Sequence, residues 1–145
     1  MTRTIYTTRA TTRGGRVGRV ATDDGRLSVA LTRPPEMGGT EAHGTNPEQL
    51  LAAGFAACFR SALDAAAGAA GVEASVTCEV ALNTREDRGY AFEVLLTVTF
   101  AATSPADGLD LVRRAEGLCP FSHTFRHNSH VEVHHLPAGA MLPAG

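Results

Sequence analysis

From Leu50 to Ala67 only Arg60 and Asp64 carry charge, and alanine dominates the segment. Thr45 or Asn46 can cap a helix here, Pro47 suits its first position, and Glu48 complements the positive end of the dipole. The pattern predicts one helix from Asn46 to about Ala70. A helix that is apolar on nearly every side has to be covered on every side. A chain of 145 residues has material for one core, so a single domain over residues 1–145 is expected. One sheet of its own cannot wrap such a helix. A second copy of the chain is therefore expected to complete the burial, its small Ala and Gly side chains permitting close approach of two such helices.

The rest of the chain reads as strands around that helix. Ile5–Thr12 is rich in threonine, and Gly14-Gly15 then supplies a turn; Arg16–Thr22 and Leu27–Leu31 follow, separated by Asp23-Asp24-Gly25. Arg33–Thr45, with Pro34-Pro35 and Gly38-Gly39, reads as an irregular loop. After the helix, Val76, Cys78, Val80 and Leu82 alternate onto one strand face, and Phe92, Val94, Leu96, Val98 and Phe100 form the matching face of the next. Thr84–Gly89 connects them. Ser104 and Pro105 start a second helix to about Leu118, with Leu109, Leu111 and Val112 available for the core. His130–His135 alternates once more as a short last strand.

A net charge of −2 gives no broad attraction to nucleic acid or to an anionic membrane. Met1–Gly15 is polar and has no apolar stretch of the secretory-signal kind, and the run Leu50–Phe59 is shorter than the roughly 20 residues a bilayer requires. Three cysteines in such a chain suit a reducing compartment, so a cytoplasmic location is expected. A cysteine pair then reads as redox-active or metal-binding rather than as a structural staple.

Cys58 lies in the apolar helix, where a thiol commonly serves as a small core side chain and where burial raises its pKa. It needs a nearby cation to become reactive. Cys119 follows one helix and precedes Pro120, where a new helical turn can begin. The tetrad Cys119-Pro120-Phe121-Ser122 resembles a redox Cys-x-x-Cys with its second thiol replaced by serine. Cys78, on an apolar strand face, reads as structural. His123, His127, His130, His134 and His135 crowd the C-terminal region. His130, Glu132 and His134 share one strand face, but the spacing matches no common zinc pattern, so an exposed polar edge strand is the preferred reading and no metal or other cofactor is expected.

The segment Asn46-Pro47-Glu48-Gln49-Leu50-Leu51-Ala52-Ala53-Gly54-Phe55-Ala56-Ala57-Cys58-Phe59 resembles a signature of the organic hydroperoxide resistance proteins, relatives of the osmotically inducible peroxidases. Cys119-Pro120-Phe121-Ser122, about 60 residues downstream, resembles their second signature. Ile5-Tyr6-Thr7 and Gly14-Gly15-Arg16 resemble their opening. The resemblance implies an α+β, OsmC/Ohr-like fold, with antiparallel sheets wrapped around a long buried central helix in an intertwined homodimer. It also implies a peroxidase in which Cys58 attacks the hydroperoxide and Cys119 resolves the sulfenic acid, with Arg16, oriented by Glu48, as the activating cation. A lipoylated protein or another dithiol would restore the thiols. Leu51, Phe55, Phe59 and Phe121 would pack around the alkyl or acyl part of the substrate, though each serves equally well as core. Ten residues separate Glu48 from Cys58, about 15 Å along one helix. Either the helix breaks after Glu48, or Arg16 and Glu48 come from the other subunit, which is the favoured arrangement.

After Ser122 the chain reads His123-Thr124-Phe125-Arg126-His127-Asn128, bulkier and richer in histidine than the small-residue stretch around Arg-Gly-Asn common in that family. Three rivals remain at the sequence level. One is an osmotically inducible peroxidase with broader substrates. Another is a non-enzymatic thiol-sensing or metal-binding protein using the His-rich segment. The third is a thiol-disulfide oxidoreductase working through Cys119 alone.

Overall fold

The computed structural model describes residues 2–40, 43–137 and 139–142. The chain packs as two compact units, Met1–Leu50 and Leu51–Gly145.

In the first unit, β1 (Ala10–Arg13), β2 (Gly18–Thr22) and β3 (Ser28–Leu31) form an antiparallel meander in that order. Gly14 turns the chain at a φ of 91°, and a Cβ there would stand 2.3 Å from the Val17 carbonyl oxygen, so only glycine fits. The predicted strand Ile5–Thr12 forms only from Ala10. The β2 ladder ends at Thr22, opposite Ala10, where the chain turns. Among the described residues, 2–8 pair with no strand of this unit, and Ile5 is 90% exposed. The loop after β3 contains a 3-10 turn at Pro35–Met37. The loop returns to β3 through paired backbone bonds between Thr32 and Thr45 and between Thr45 and Ala30.

The first helix, α1, runs unbroken from Pro47 to Ala67. Of the two candidate caps, Asn46 holds the position: its side-chain oxygen accepts the Gln49 N–H at 2.8 Å. A 3-10 turn at Gly68–Ala70 extends it.

In the second unit, β4 (Ala74–Thr84) and β5 (Tyr90–Phe100) form a long antiparallel hairpin. The second helix, α2 (Pro105–Leu118), and the short α3 (Pro120–Thr124) lead back to β6 (Ser129–His135). This crossover makes β6 parallel to β5. The second sheet, β4-β5-β6, is thus mixed, a correction to the all-antiparallel expectation. The core joins Phe55, Phe59 and Leu63 of α1 to Val94, Leu96, Val98 and Phe100 of β5, and to Leu111, Val112 and Ala115 of α2. Leu109, expected in this core, is 42% exposed because it lies off the face that Gly108, Leu111, Val112 and Ala115 bury.

Two of the three charged residues of α1, Arg60 and Asp64, lie in its C-terminal half. The Arg60 guanidinium donates to the carbonyls of Ala74 and Val72, both at 2.9 Å, and pairs with Asp64. Arg114 of α2 donates to the Ala66 carbonyl at 2.6 Å, satisfying an acceptor in the last turn of α1. Burial of α1 is nevertheless one-sided. Phe55, Phe59, Ala62, Leu63 and Ala66 are buried, whereas Ala53, Ala57, Ser61 and Ala65 are exposed. Helix and 3-10 turn together, Pro47–Ala70, are long and apolar enough to cross a membrane by length and composition alone, which the shorter run Leu50–Phe59 did not suggest. Core helices meet the same test, and α1 supplies three fully buried core side chains. The fold is α+β, two small sheets and a long central helix, as expected.

Candidate active site

Cys58 sits on α1, one turn beyond Gly54, and Cys119 at the junction of α2 and α3. The Cys119 N–H donates to the Ala115 carbonyl at 2.8 Å and closes α2, while its own carbonyl accepts the His123 N–H at 3.1 Å and opens α3. With extended dihedrals (φ −80°, ψ 116°), this single residue turns the chain between two helices. Pro120 then occupies the first position of α3, where its missing N–H costs nothing. The junction directs the Cys119 side chain into the core, 1% exposed. Its Sγ lies 3.8 Å from Sγ of half-buried Cys58, and both are free thiols. A disulfide needs the sulfurs to close by about 1.8 Å.

Burial pushes the Cys58 thiol up, as does the hydrogen bond and charge of Cys119; a backbone N–H from Phe121 opposes this. Within this unit, then, Cys58 is held toward its protonated form. Cys78 is half-buried on β4 opposite Leu96, packed against the core, and burial pushes its thiol to about 11.

Three aromatic rings cluster beside the cysteine pair in sequence. Phe55 lies 5.3 Å from Phe121 and 5.8 Å from Phe125, and Phe121 stacks on Phe125 at 6.4 Å. Phe125 was not singled out from the sequence, although Phe121 and Phe125 stand four apart and share a helical face. Gly54 leaves room beneath the Phe121 ring: a Cβ there would touch its Cζ at 3.6 Å. Of the four residues expected to contact substrate, Phe55 and Phe59 are fully buried in the core, while Leu51 and Phe121 are half-buried.

The first unit holds the expected ion pair. Arg16, in the turn before β2, meets Glu48, in the first turn of α1. The fork is bidentate: Nη1 to Oε2 at 2.9 Å and Nη2 to Oε1 at 2.5 Å. The Arg16 hydrogen bond holds the Glu48 carboxyl below its ordinary value of 4.5. The side chains are 31% and 14% exposed. The break in the helix considered from the sequence is absent, since α1 is continuous from Pro47.

His130, Glu132 and His134 project from the exposed face of β6, an edge strand, and His134 Nε2 lies 3.5 Å from Glu132. Among the described residues no three His, Cys, Asp or Glu side chains are grouped to hold a metal. A cavity of about 460 Å³ on this sheet is lined by Glu79, Glu93, His127, His130 and Glu132 among others, and by none of the expected site residues. His135 instead faces inward, donating from Nδ1 to the Thr103 carbonyl at 3.2 Å and stacking on Phe100.

Residues 38–134 match the family described as OsmC-like protein. An organic hydroperoxide resistance protein-like 2 of Staphylococcus epidermidis is 38% identical over 92% of this chain and 96% of its own. An organic hydroperoxide resistance protein of Xanthomonas axonopodis pv. citri is 37% identical, over 89% and 93%. The crystal structure of an organic hydroperoxide resistance protein from Legionella pneumophila superposes with a TM-score of 0.84 at 37% identity, covering 93% of this chain and all of that one. The chain therefore belongs to the OsmC-like family and, within it, to the organic hydroperoxide resistance proteins.

Proposed function

We propose that this protein is a cysteine-based peroxidase that reduces organic hydroperoxides to alcohols. The observation that carries the reading is the 3.8 Å approach of Cys119 to Cys58, two free thiols from distant parts of the chain. The Cys58 thiolate attacks the terminal peroxide oxygen, the O–O bond breaks, and the alkoxide leaves as the alcohol after taking a proton. Cys58 is now a sulfenic acid. Cys119 attacks its sulfur, the S–S bond forms, and hydroxide departs as water with the Cys119 proton. An external dithiol, of the lipoyl type, reduces the disulfide by exchange. Cysteines alternating between thiol and disulfide in this way suit a cytoplasmic location.

Burial acts against the first step, because it disfavours the Cys58 thiolate. A guanidinium beside the sulfur reverses that, and a carboxylate in turn fixes the guanidinium. The Arg16–Glu48 fork has this form. On the unbroken α1, Glu48 and Cys58 are separated by about 15 Å along the axis, so in the proposed enzyme the fork that serves Cys58 belongs to the partner subunit of a homodimer. The exposed small-residue face of α1, Ala53, Ala57, Ser61 and Ala65, supports that assembly. The aromatic cluster of Phe55, Phe121 and Phe125 favours substrates with an apolar tail over hydrogen peroxide.

The test is steady-state consumption of cumene hydroperoxide or a fatty-acid hydroperoxide against hydrogen peroxide, with dihydrolipoamide and then thioredoxin as reductant. Faster turnover of the organic substrates with dihydrolipoamide is expected. Equal rates for all peroxides would favour the osmotically inducible type, and no turnover with either reductant would remove the peroxidase reading.

A further inference from the structure

Among the described residues, one buried side-chain polar atom lacks a hydrogen-bond partner, and it is Oγ of Ser122. A buried hydroxyl without a partner destabilises a fold, so its retention calls for a reason. Its helix position explains why it is unpartnered. Ser122 is the third residue of α3, and Cys119 is its N-cap. Side chains at these two positions share one side of a helix's first turn, where a Glu or Gln at the third position reaches back to the N-cap N–H; the serine side chain is shorter. Here that N–H is already donated to Ala115 at the end of α2. The other local option, a bond back to the preceding turn, is used by Thr124 toward the Pro120 carbonyl at 2.9 Å but not by Ser122. The hydroxyl is left with no structural partner, three residues beyond Cys119 in the same turn of α3.

Cys119 is 1% exposed, so water cannot solvate charge on its sulfur. The resolving step makes such charge: the S–H proton leaves and the sulfur attacks Cys58 as a thiolate. We propose that Ser122 is a positioning residue that donates its hydroxyl to the Cys119 sulfur as the thiolate forms, holding it in line with Cys58. Ser122 loses no proton. The proton from Cys119 goes to the departing hydroxide, giving water, and the hydroxyl only stabilises and orients the attacking sulfur. This inference rests on the peroxidase reading and assigns a role within its second step.

The test follows disulfide closure in the reduced, full-length protein after one equivalent of cumene hydroperoxide, by rapid quench with an alkylating agent and mass analysis. In Ser122→Ala, closure should slow about tenfold near neutral pH and its pH midpoint should move upward, since a hydrogen bond to the charged form of a thiol favours that form. Ser122→Thr, which keeps the hydroxyl, should restore most of both. The reduced Ser122→Ala protein should melt no lower than the parent, because the hydroxyl has no partner to lose. A Ser122→Ala profile identical to the parent would overturn the proposal, as would a lower melting temperature with an unmoved midpoint, which marks a structural hydroxyl. If the parent protein itself forms no Cys58–Cys119 disulfide, the peroxidase reading fails; if it does and Ser122→Ala closes as fast, only this inference fails.

Discussion

Sγ of Cys119 lies 3.8 Å from Sγ of Cys58 across 61 positions of sequence, the first residue 1% exposed and the second half-buried. The pairing is set by the helix junction at Cys119, which turns the sulfur inward, and by the face of α1 that packs toward α2 and β5. Cys119→Ala should allow one oxidation of Cys58 and then stall. Steady-state turnover is expected to fall by roughly two orders of magnitude, with sulfinic acid accumulating at Cys58 in excess hydroperoxide. Mass analysis of the treated protein checks this.

Cys78 is expected to take no part. Burial holds its thiol at about 11, so at pH 8 almost none is thiolate, and thiolate is the reactive form. After one equivalent of hydroperoxide, thiol titration should find one free thiol of the three cysteines, at Cys78. Cys78→Ala should retain turnover and lose about 1 kcal/mol of stability from the deleted core sulfur.

The Arg16–Glu48 fork carries a pH signature. Glu48 is held below its ordinary value of 4.5 in the folded chain, so the folded state favours its ionised form. That stabilisation is fully present above pH 4.5 and is lost as pH falls through the lower folded value. Glu48→Gln should therefore be less stable than the parent at neutral pH by about 1 kcal/mol, allowing for solvent screening. Below pH 4.5 the two melting curves should converge. If Arg16 activates Cys58, Arg16→Gln should also shift the pH profile of Cys58 oxidation upward.

The second unit has one close contact that cannot absorb a methyl group. A Cβ on Gly108 would stand 2.6 Å from the His135 ring and 3.1 Å from Phe100. The His135 ring is fixed by its bond to Thr103 and its stack on Phe100, so it cannot swing aside. Gly108→Ala should cost about 1–3 kcal/mol, or roughly 3–8 °C in melting temperature. Calorimetry of the reduced protein reads this directly.

The exposed small-residue face of α1 tests the assembly. Ala57→Glu, on the face opposite Phe55 and Phe59, should leave the reduced subunit folded, convert the proposed dimer to monomer in light scattering, and abolish peroxide turnover. A fully active dimer of this variant would contradict a dimer built on that face.

Much of this was legible in the residues. Alternation gave β4 and β5, Asn46 and Pro47 gave the start of α1, and two motifs at a fixed separation pointed to Cys58 and Cys119. Propensity misjudged Ile5–Thr12, because a strand exists only where a partner strand reaches it, and β2 ends opposite Ala10. The parallel direction of β6 depends on the α2–α3 crossover, which no local pattern encodes. The roles of Phe125 and of the unpartnered Ser122 hydroxyl follow from positions on α3, a helical turn too short to show periodicity in the residues.

The most direct measurement mixes the fully reduced protein with one equivalent of cumene hydroperoxide, then maps cysteines and quantifies the alcohol. The expected result is one equivalent of cumyl alcohol, a Cys58–Cys119 disulfide and free Cys78. Recovery of intact hydroperoxide with three free thiols, or oxidation confined to Cys119, would contradict the account.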